Sequence, residues 1–158
     1  MLEPLIHGGK STTVFRSGTP AVPLIVSTAM ALKLADGNID SARVVLKENN
    51  ERVVAMLKKY DKVIINSNHN SIMNVINFSI IDIKPETFVH ALEEFEIYIS
   101  TKSACSTADS ISKSVYALTK NKDVAFSTLR ISLSYLTTKE EIDKLIEAFD
   151  ICYKRLVV

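Results

Sequence analysis

Cysteine is scarce in this chain: two in 158 residues, Cys105 and Cys152, neither with a second Cys or a His at metal-ligand spacing. That excludes a disulfide framework and a thiolate zinc site, and it points to a reducing, cytoplasmic compartment. An excess of one charge sign is also missing. Nineteen Lys and Arg against eighteen Asp and Glu leave a formal net charge of +1, and no basic stripe interrupts the pattern. A nucleic-acid surface, which needs clustered cations facing phosphate, is therefore not expected. No apolar run approaches the roughly 20 residues of a spanning helix, and the N-terminus lacks the charged and apolar regions of a signal peptide, so no membrane role is expected. The three histidines, His7, His69 and His90, lie far apart, and His90 falls on the polar side of a helical pattern. They are expected to be solvated imidazoles rather than ligands.

What is present is an ordinary globular composition, 47% apolar and 23% charged, long enough for one compact domain or one domain with an appendage. Glu3–Thr19 has no helical or strand period and is rich in Gly, Ser and Thr, which predicts a loop of unusual length. Within it, His7-Gly8-Gly9-Lys10-Ser11 is similar to the end of a phosphate-binding P-loop. Pro4 stands where the first glycine of that motif belongs and no strand precedes it, so nucleotide binding fails on the motif. A helix is predicted over Pro20–Ala35, with Pro23 in its first turn and Val22, Ile25, Val26, Ala29 and Leu32 on one stripe. Ala35-Asp36-Gly37 is expected to end it, and a second helix to run to about Tyr60. Residues 36–38 are the one plausible domain boundary, giving segments 1–36 and 37–158.

From Lys62 the pattern shortens. Strands are predicted at Lys62–Asn66 and Val75–Ile81, and a helix after Pro85 with Phe88, Val89, Leu92 and Phe95 on its buried face. Ile97–Ser100 reads as a strand, and a helix follows over Ile111–Thr119, capped by Asp109 or Ser110. Thr128–Ser134 alternates, with Leu129, Ile131 and Leu133 on one face and Arg130, Ser132 and Ser134 on the other. Lys139–Leu156 closes the chain as an amphipathic helix whose buried stripe includes Cys152, which makes Cys152 a core residue. The order implies an α/β (α+β) fold, a small sheet covered by helices on one face and open on the Arg130 face.

Two places draw chemical interest. Cys105 lies in a loop of small or polar residues, Ser103, Ala104, Ser106, Thr107 and Ala108, with Lys102 near enough in sequence to favour a thiolate. It reads either as a reactive thiol or as an ordinary loop cysteine. Arg130, in mid-strand, reads either as a solvated charge or as a bidentate anchor for a carboxylate.

Together, several segments resemble one family, the cysteine desulfurases of the pyridoxal-phosphate-dependent class V aminotransferase group. Pro4-Leu5-Ile6-His7-Gly8-Gly9 with Arg16-Ser17-Gly18-Thr19-Pro20 is similar to the loop ahead of the last helix of that family's cofactor domain. Ser103-Ala104-Cys105-Ser106 resembles its catalytic loop and Leu129-Arg130-Ile131-Ser132-Leu133 its substrate-binding strand, with Asn77-Phe78-Ser79-Ile80 a weaker match. The resemblance implies that Cys105 takes sulfur from L-cysteine as a persulfide, leaving L-alanine. It implies further that Arg130 binds the substrate carboxylate and that Thr19 contacts the cofactor phosphate of a partner subunit. A homodimer, a sulfur-acceptor protein, and service to iron–sulfur cluster assembly or tRNA thiolation follow for a full-length enzyme.

The sequence also departs from that family. Lys10–Phe15 stand where a third glycine, a glutamine and an acidic residue usually follow Gly9, and the family's cofactor lysine, preceded by a histidine, has no counterpart. The chain thus looks like the C-terminal part of such an enzyme: residues 1–36 from the large cofactor domain and residues 37–158 as the small domain. Pyridoxal phosphate is expected in the full-length enzyme and not on this chain alone. The competing reading is a degenerate, non-catalytic paralogue or a module that binds a sulfur-transfer partner.

Overall fold

The computed structural model describes residues 3–9, 13, 15–101 and 111–157. Eight elements follow one another: α1 (Val22–Leu57), β1 (Val63–Ile65), β2 (Val75–Ile80), α2 (Pro85–Glu93), α3 (Lys113–Thr119), α4 (Lys122–Phe126), β3 (Thr128–Ser132) and α5 (Lys139–Leu156). By contact the chain divides into two compact units, Met1–Asp40 and Ser41–Val158.

In the first unit the loop before α1 closes on itself. The Ser17 backbone N–H donates to the Ile6 carbonyl at 3.3 Å, and a Cβ at Gly8 would come within 2.8 Å of Ser17 Oγ, so only glycine admits this approach. The helix stop expected at Ala35-Asp36-Gly37 does not occur. Gly37 is not in the left-handed conformation a glycine stop requires, and α1 runs on through it. Glycine inside a helix costs about 1 kcal/mol, too little to break a run of good helix formers on both sides. The early part of α1 exposes Val22, Leu24, Ile25, Val26, Met30, Leu32 and Leu34. By length and composition alone α1 is apolar enough to cross a membrane, with a mean hydropathy of 1.2, although no unbroken run of 20 apolar residues announces it.

The second unit is built on a three-stranded antiparallel sheet in the order β1-β2-β3. Ile76, Phe78 and Ile80 of β2 and Leu129 and Ile131 of β3, with Leu133 just beyond, are buried in the core with Val53, Met56 and Leu57 of α1, Phe88 and Leu92 of α2, and Ile142, Leu145, Phe149 and Cys152 of α5. Phe149 is the hub: its ring lies 5.0 Å from that of Phe88, 5.2 Å from Tyr60, 6.0 Å from Phe78 and 6.3 Å from Tyr153. Helix α5 starts with a full capping box, the Thr138 hydroxyl accepting from Glu141 N–H at 3.2 Å and the Glu141 carboxylate accepting from Thr138 N–H at 2.8 Å. Asn49, 2% exposed, ties α1 to the approach to α5 by donating to the Thr137 carbonyl at 2.9 Å. Arg52 pairs with Asp143, and Arg155 forms a two-pronged contact with Glu94 that holds that carboxyl below its ordinary range.

Several expectations are corrected at this level. Phe95 lies beyond the end of α2 and is 38% exposed. The strand expected at Ile97–Ser100 reduces to one antiparallel bridge between Ser100 and Arg130. Ser112, rather than Asp109 or Ser110, caps α3, and the short helix α4, capped by Asn121, carried no sequence signal. Among the described residues, three connections turn through non-glycine residues with positive φ: Asp82 at 70°, Glu96 at 59° and Lys120 at 55°.

Candidate functional site

The β2/β3 register sets the site. Asn77 faces Arg130, Ser79 faces Thr128 and Val75 faces Ser132, so these six share the sheet face opposite the core. That face is not open along its whole length. The Ser79 hydroxyl donates to the Val124 carbonyl of α4 at 2.7 Å, and Ser79 and Thr128 are 0% and 2% exposed. One pair further along, Arg130 is exposed, and its guanidinium has no partner among the described residues. Its backbone is held firmly: N–H to the Ser100 carbonyl at 2.7 Å, and carbonyl to the Ser100 N–H at 3.1 Å. A planar cation on a rigid strand, with no carboxylate partner among the described residues, is what recognition of a small carboxylate from outside requires.

Thr19 belongs to the first unit and is exposed. Cys105, with Lys102 and the small residues around it, lies outside the described residues. Cys152 is fully buried on α5, and burial pushes its thiol up from the ordinary value, which removes it from thiolate chemistry. Among the described residues no group of three or more His, Cys, Asp or Glu is placed to hold a metal. His90 is exposed on α2, 2.8 Å from its neighbour Glu93.

The profile of the family described as aminotransferase class-V matches residues 6–145. This chain belongs to that family. Similar curated members include the "NifS/IcsS protein homolog" of Lactobacillus delbrueckii subsp. bulgaricus, 33% identical over 98% of this chain and 41% of that protein. The mitochondrial cysteine desulfurase of Arabidopsis thaliana is 33% identical over 92% of this chain and 32% of its own length. Among solved structures, a NifS-like protein superposes with a TM-score of 0.81 at 27% identity, covering 98% of this chain and 40% of that one. The NifS-like protein of Rickettsia africae does so with a TM-score of 0.77 at 28% identity, over 96% and 40%. The chain therefore spans about a third to two fifths of the length of these relatives, as the reading of a desulfurase fragment expects.

Class-V aminotransferases depend in general on pyridoxal phosphate. The described residues of this chain do not by themselves fit that group. Beside Thr19, the Ser17 hydroxyl donates to the Ile6 carbonyl at 3.4 Å and the Arg16 guanidinium to the Ser17 carbonyl at 3.3 Å, so both are turned inward on the loop. The adjoining hollow of about 550 Å3 is lined by Arg16 and Thr13 together with Ala21, Leu24, Ile25 and Leu32, a mainly apolar surface rather than a phosphate cradle.

Asn77 escaped sequence reasoning as a site residue, although it sits directly across from Arg130. The signals were polar alternation at Asn77 and Ser79 in an otherwise apolar strand and the weaker family match over Asn77–Ile80, and their meaning depended on the register.

Proposed function

We propose that this chain is the part of a cysteine desulfurase that carries the sulfur-accepting thiol and the substrate anchor, and that the rest of the fold supplies the cofactor site. In this reading Arg130 binds the α-carboxylate of L-cysteine, and Cys105 takes the substrate sulfur as a persulfide while L-alanine leaves. The observation that carries the reading is Arg130 itself: exposed, free of an internal partner among the described residues, and fixed in mid-strand between Asn77 and Ser100. Thr19 is proposed to reach the cofactor phosphate of a second subunit. A sulfur-acceptor protein and a reducing cytoplasmic setting belong to the same proposal. The exposed apolar residues at the start of α1 suit burial against the remaining part of the fold.

The test is reconstitution. The chain alone, given pyridoxal phosphate and L-cysteine, is expected to form neither alanine nor sulfide, because the orientation that the cofactor site provides is missing. Together with a polypeptide covering the remaining part of a NifS-like relative, it is expected to form both, with a persulfide detected on Cys105 by mass spectrometry. Cys105→Ser should abolish that product, and Arg130→Gln should raise the cysteine concentration needed. Turnover that survives Cys105→Ser would remove the nucleophile, and a docked pair that stays inactive would favour the non-catalytic paralogue.

A further inference from the structure

The Arg130 face contains a hydrogen-bond chain whose direction is fixed at one end. The Val124 carbonyl can only accept, so the Ser79 hydroxyl gives its single proton there. Ser79 Oγ must then act as acceptor toward Asn66, and the Asn66 atom 2.9 Å from it is the amide nitrogen, Nδ2. That same nitrogen lies 2.8 Å from the Asn77 side chain, whose facing atom is therefore the oxygen, Oδ1. Thr128 Oγ1 lies 3.0 Å from Oδ1, its shorter contact, with the Phe78 carbonyl at 3.4 Å as the other acceptor for its single proton. With Oδ1 facing the Asn66 amide nitrogen, the Asn77 amide cannot turn over, and Nδ2 is the atom on the side away from Asn66.

No partner for Asn77 Nδ2 is found among the described residues, and it is not among the buried unsatisfied atoms. The arrangement has a cost. Asn66 Oδ1 is buried without a donor among the described residues. Turning the Asn66 amide over would instead set its oxygen against Asn77 Oδ1 and the lone pairs of Ser79.

The ladder brings this free amide next to Arg130. The Arg130 backbone N–H and carbonyl both engage Ser100, while Asn77 donates to Ser67 Oγ and accepts from the N–H groups of Asn66 and Ser67. Asn77 and Arg130 are thus a non-hydrogen-bonded antiparallel pair, the kind whose side chains lie closer together, with Cβ atoms about 4.5–5.5 Å apart on the same face.

We propose that Asn77 Nδ2 is a second donor to the substrate carboxylate, fixed in orientation by the Val124–Ser79–Asn66 chain and working beside the Arg130 guanidinium. One cation with one neutral donor suits the single, planar negative charge of an amino-acid carboxylate better than a doubly charged phosphate. The proposal rests on Arg130 as the carboxylate anchor and adds what orients the carboxylate on it.

Titration of the 15N-labelled chain with L-alanine tests it, since alanine carries the carboxylate without the thiol, and L-alaninamide, which lacks the carboxylate, is the control. Alanine is expected to shift the Asn77 side-chain amide and the Arg130 Nε–H along one binding curve, and alaninamide to shift neither. Asn77→Asp keeps an oxygen toward Asn66 and Thr128 but turns an anionic oxygen outward, and should weaken alanine binding about tenfold or more. Movement of Arg130 alone, or an unchanged affinity in Asn77→Asp, would overturn the role of Asn77 and leave the Arg130 anchor standing. If alanine moves neither signal, both assignments fall. If Asn77→Asp does not fold, the Asn77 amide shift in the unmodified chain decides.

Discussion

Phe149→Ala should remove much of the stability of the second unit, and the structure supplies the magnitude. The ring is 0% exposed, and truncating such a residue costs about 3–5 kcal/mol through lost burial and the cavity left behind. Four aromatic neighbours surround it at centroid distances from 5.0 to 6.3 Å, each pair contributing roughly 0.5–1.5 kcal/mol beyond burial. The expected loss therefore lies at the upper end, about 5 kcal/mol, against a total of about 5–15 kcal/mol for a domain. Phe149→Leu separates the two effects: it keeps most of the apolar volume but loses the ring geometry, and should cost about 2 kcal/mol. Urea unfolding followed by far-ultraviolet circular dichroism reads both, with Ile151→Ala as the control. Ile151 lies on the same helix but is 42% exposed, and its truncation should stay within about 0.5 kcal/mol. A loss below about 2 kcal/mol for Phe149→Ala, or equal losses at 149 and 151, would refute the placement of the aromatic hub behind the sheet.

Arg130→Gln should move the melting temperature by less than about 2 °C, because the guanidinium has no partner among the described residues; a larger drop would mean that it holds the fold. Thr138→Ala breaks the capping box of α5 and should cost about 1 kcal/mol in the same urea assay, and no change would deny the cap a role. Burial, followed by the bond to Asp150, pushes the Tyr60 hydroxyl up from 10.0 to about 12. The unfolded chain loses that proton first, so its stabilising effect is complete below pH 10 and fades as pH rises toward 12. Tyr60 is only partly buried, so the effect is discounted for solvent to about 1 kcal/mol, and Tyr60→Phe should flatten this part of the stability profile. Cys152 should resist iodoacetamide until the unit unfolds, with labelling that tracks the urea transition. Modification in the native state would contradict its burial.

The parts of the fold that a periodicity could reveal were the parts that bury a face. The stripe of Ile142, Leu145, Phe149 and Cys152 and the alternation of Leu129, Arg130 and Ile131 predict both structure and orientation, because each side chain repeats the same choice between core and water. Helix α4, five residues long, offers too few repeats for a period to register, and α4 roofs the Ser79 end of the face expected to be open. The continuity of α1 through Gly37 was hidden because a glycine penalty is visible in sequence while the helix on either side that outweighs it is a cooperative property. Arg130 was legible as a candidate because a cation in mid-strand is conspicuous. Asn77 was not, since its significance lies in which residue it faces, and register is set by long-range pairing.

All four glycines of the chain fall at or before Gly37, so the second unit makes every turn without one. Asp82, Glu96 and Lys120 hold left-handed conformations in which an L side chain crowds the backbone by roughly 1 kcal/mol each, and all three are exposed. None of them belongs to the Arg130 face, and they lie in separate connections. The unit therefore contains an adjustable margin of resilience that is independent of its chemistry. Glycine at these corners would relieve strain without touching the surface on which an amino acid is proposed to rest, so robustness and recognition can be tuned as separate properties of the same small sheet.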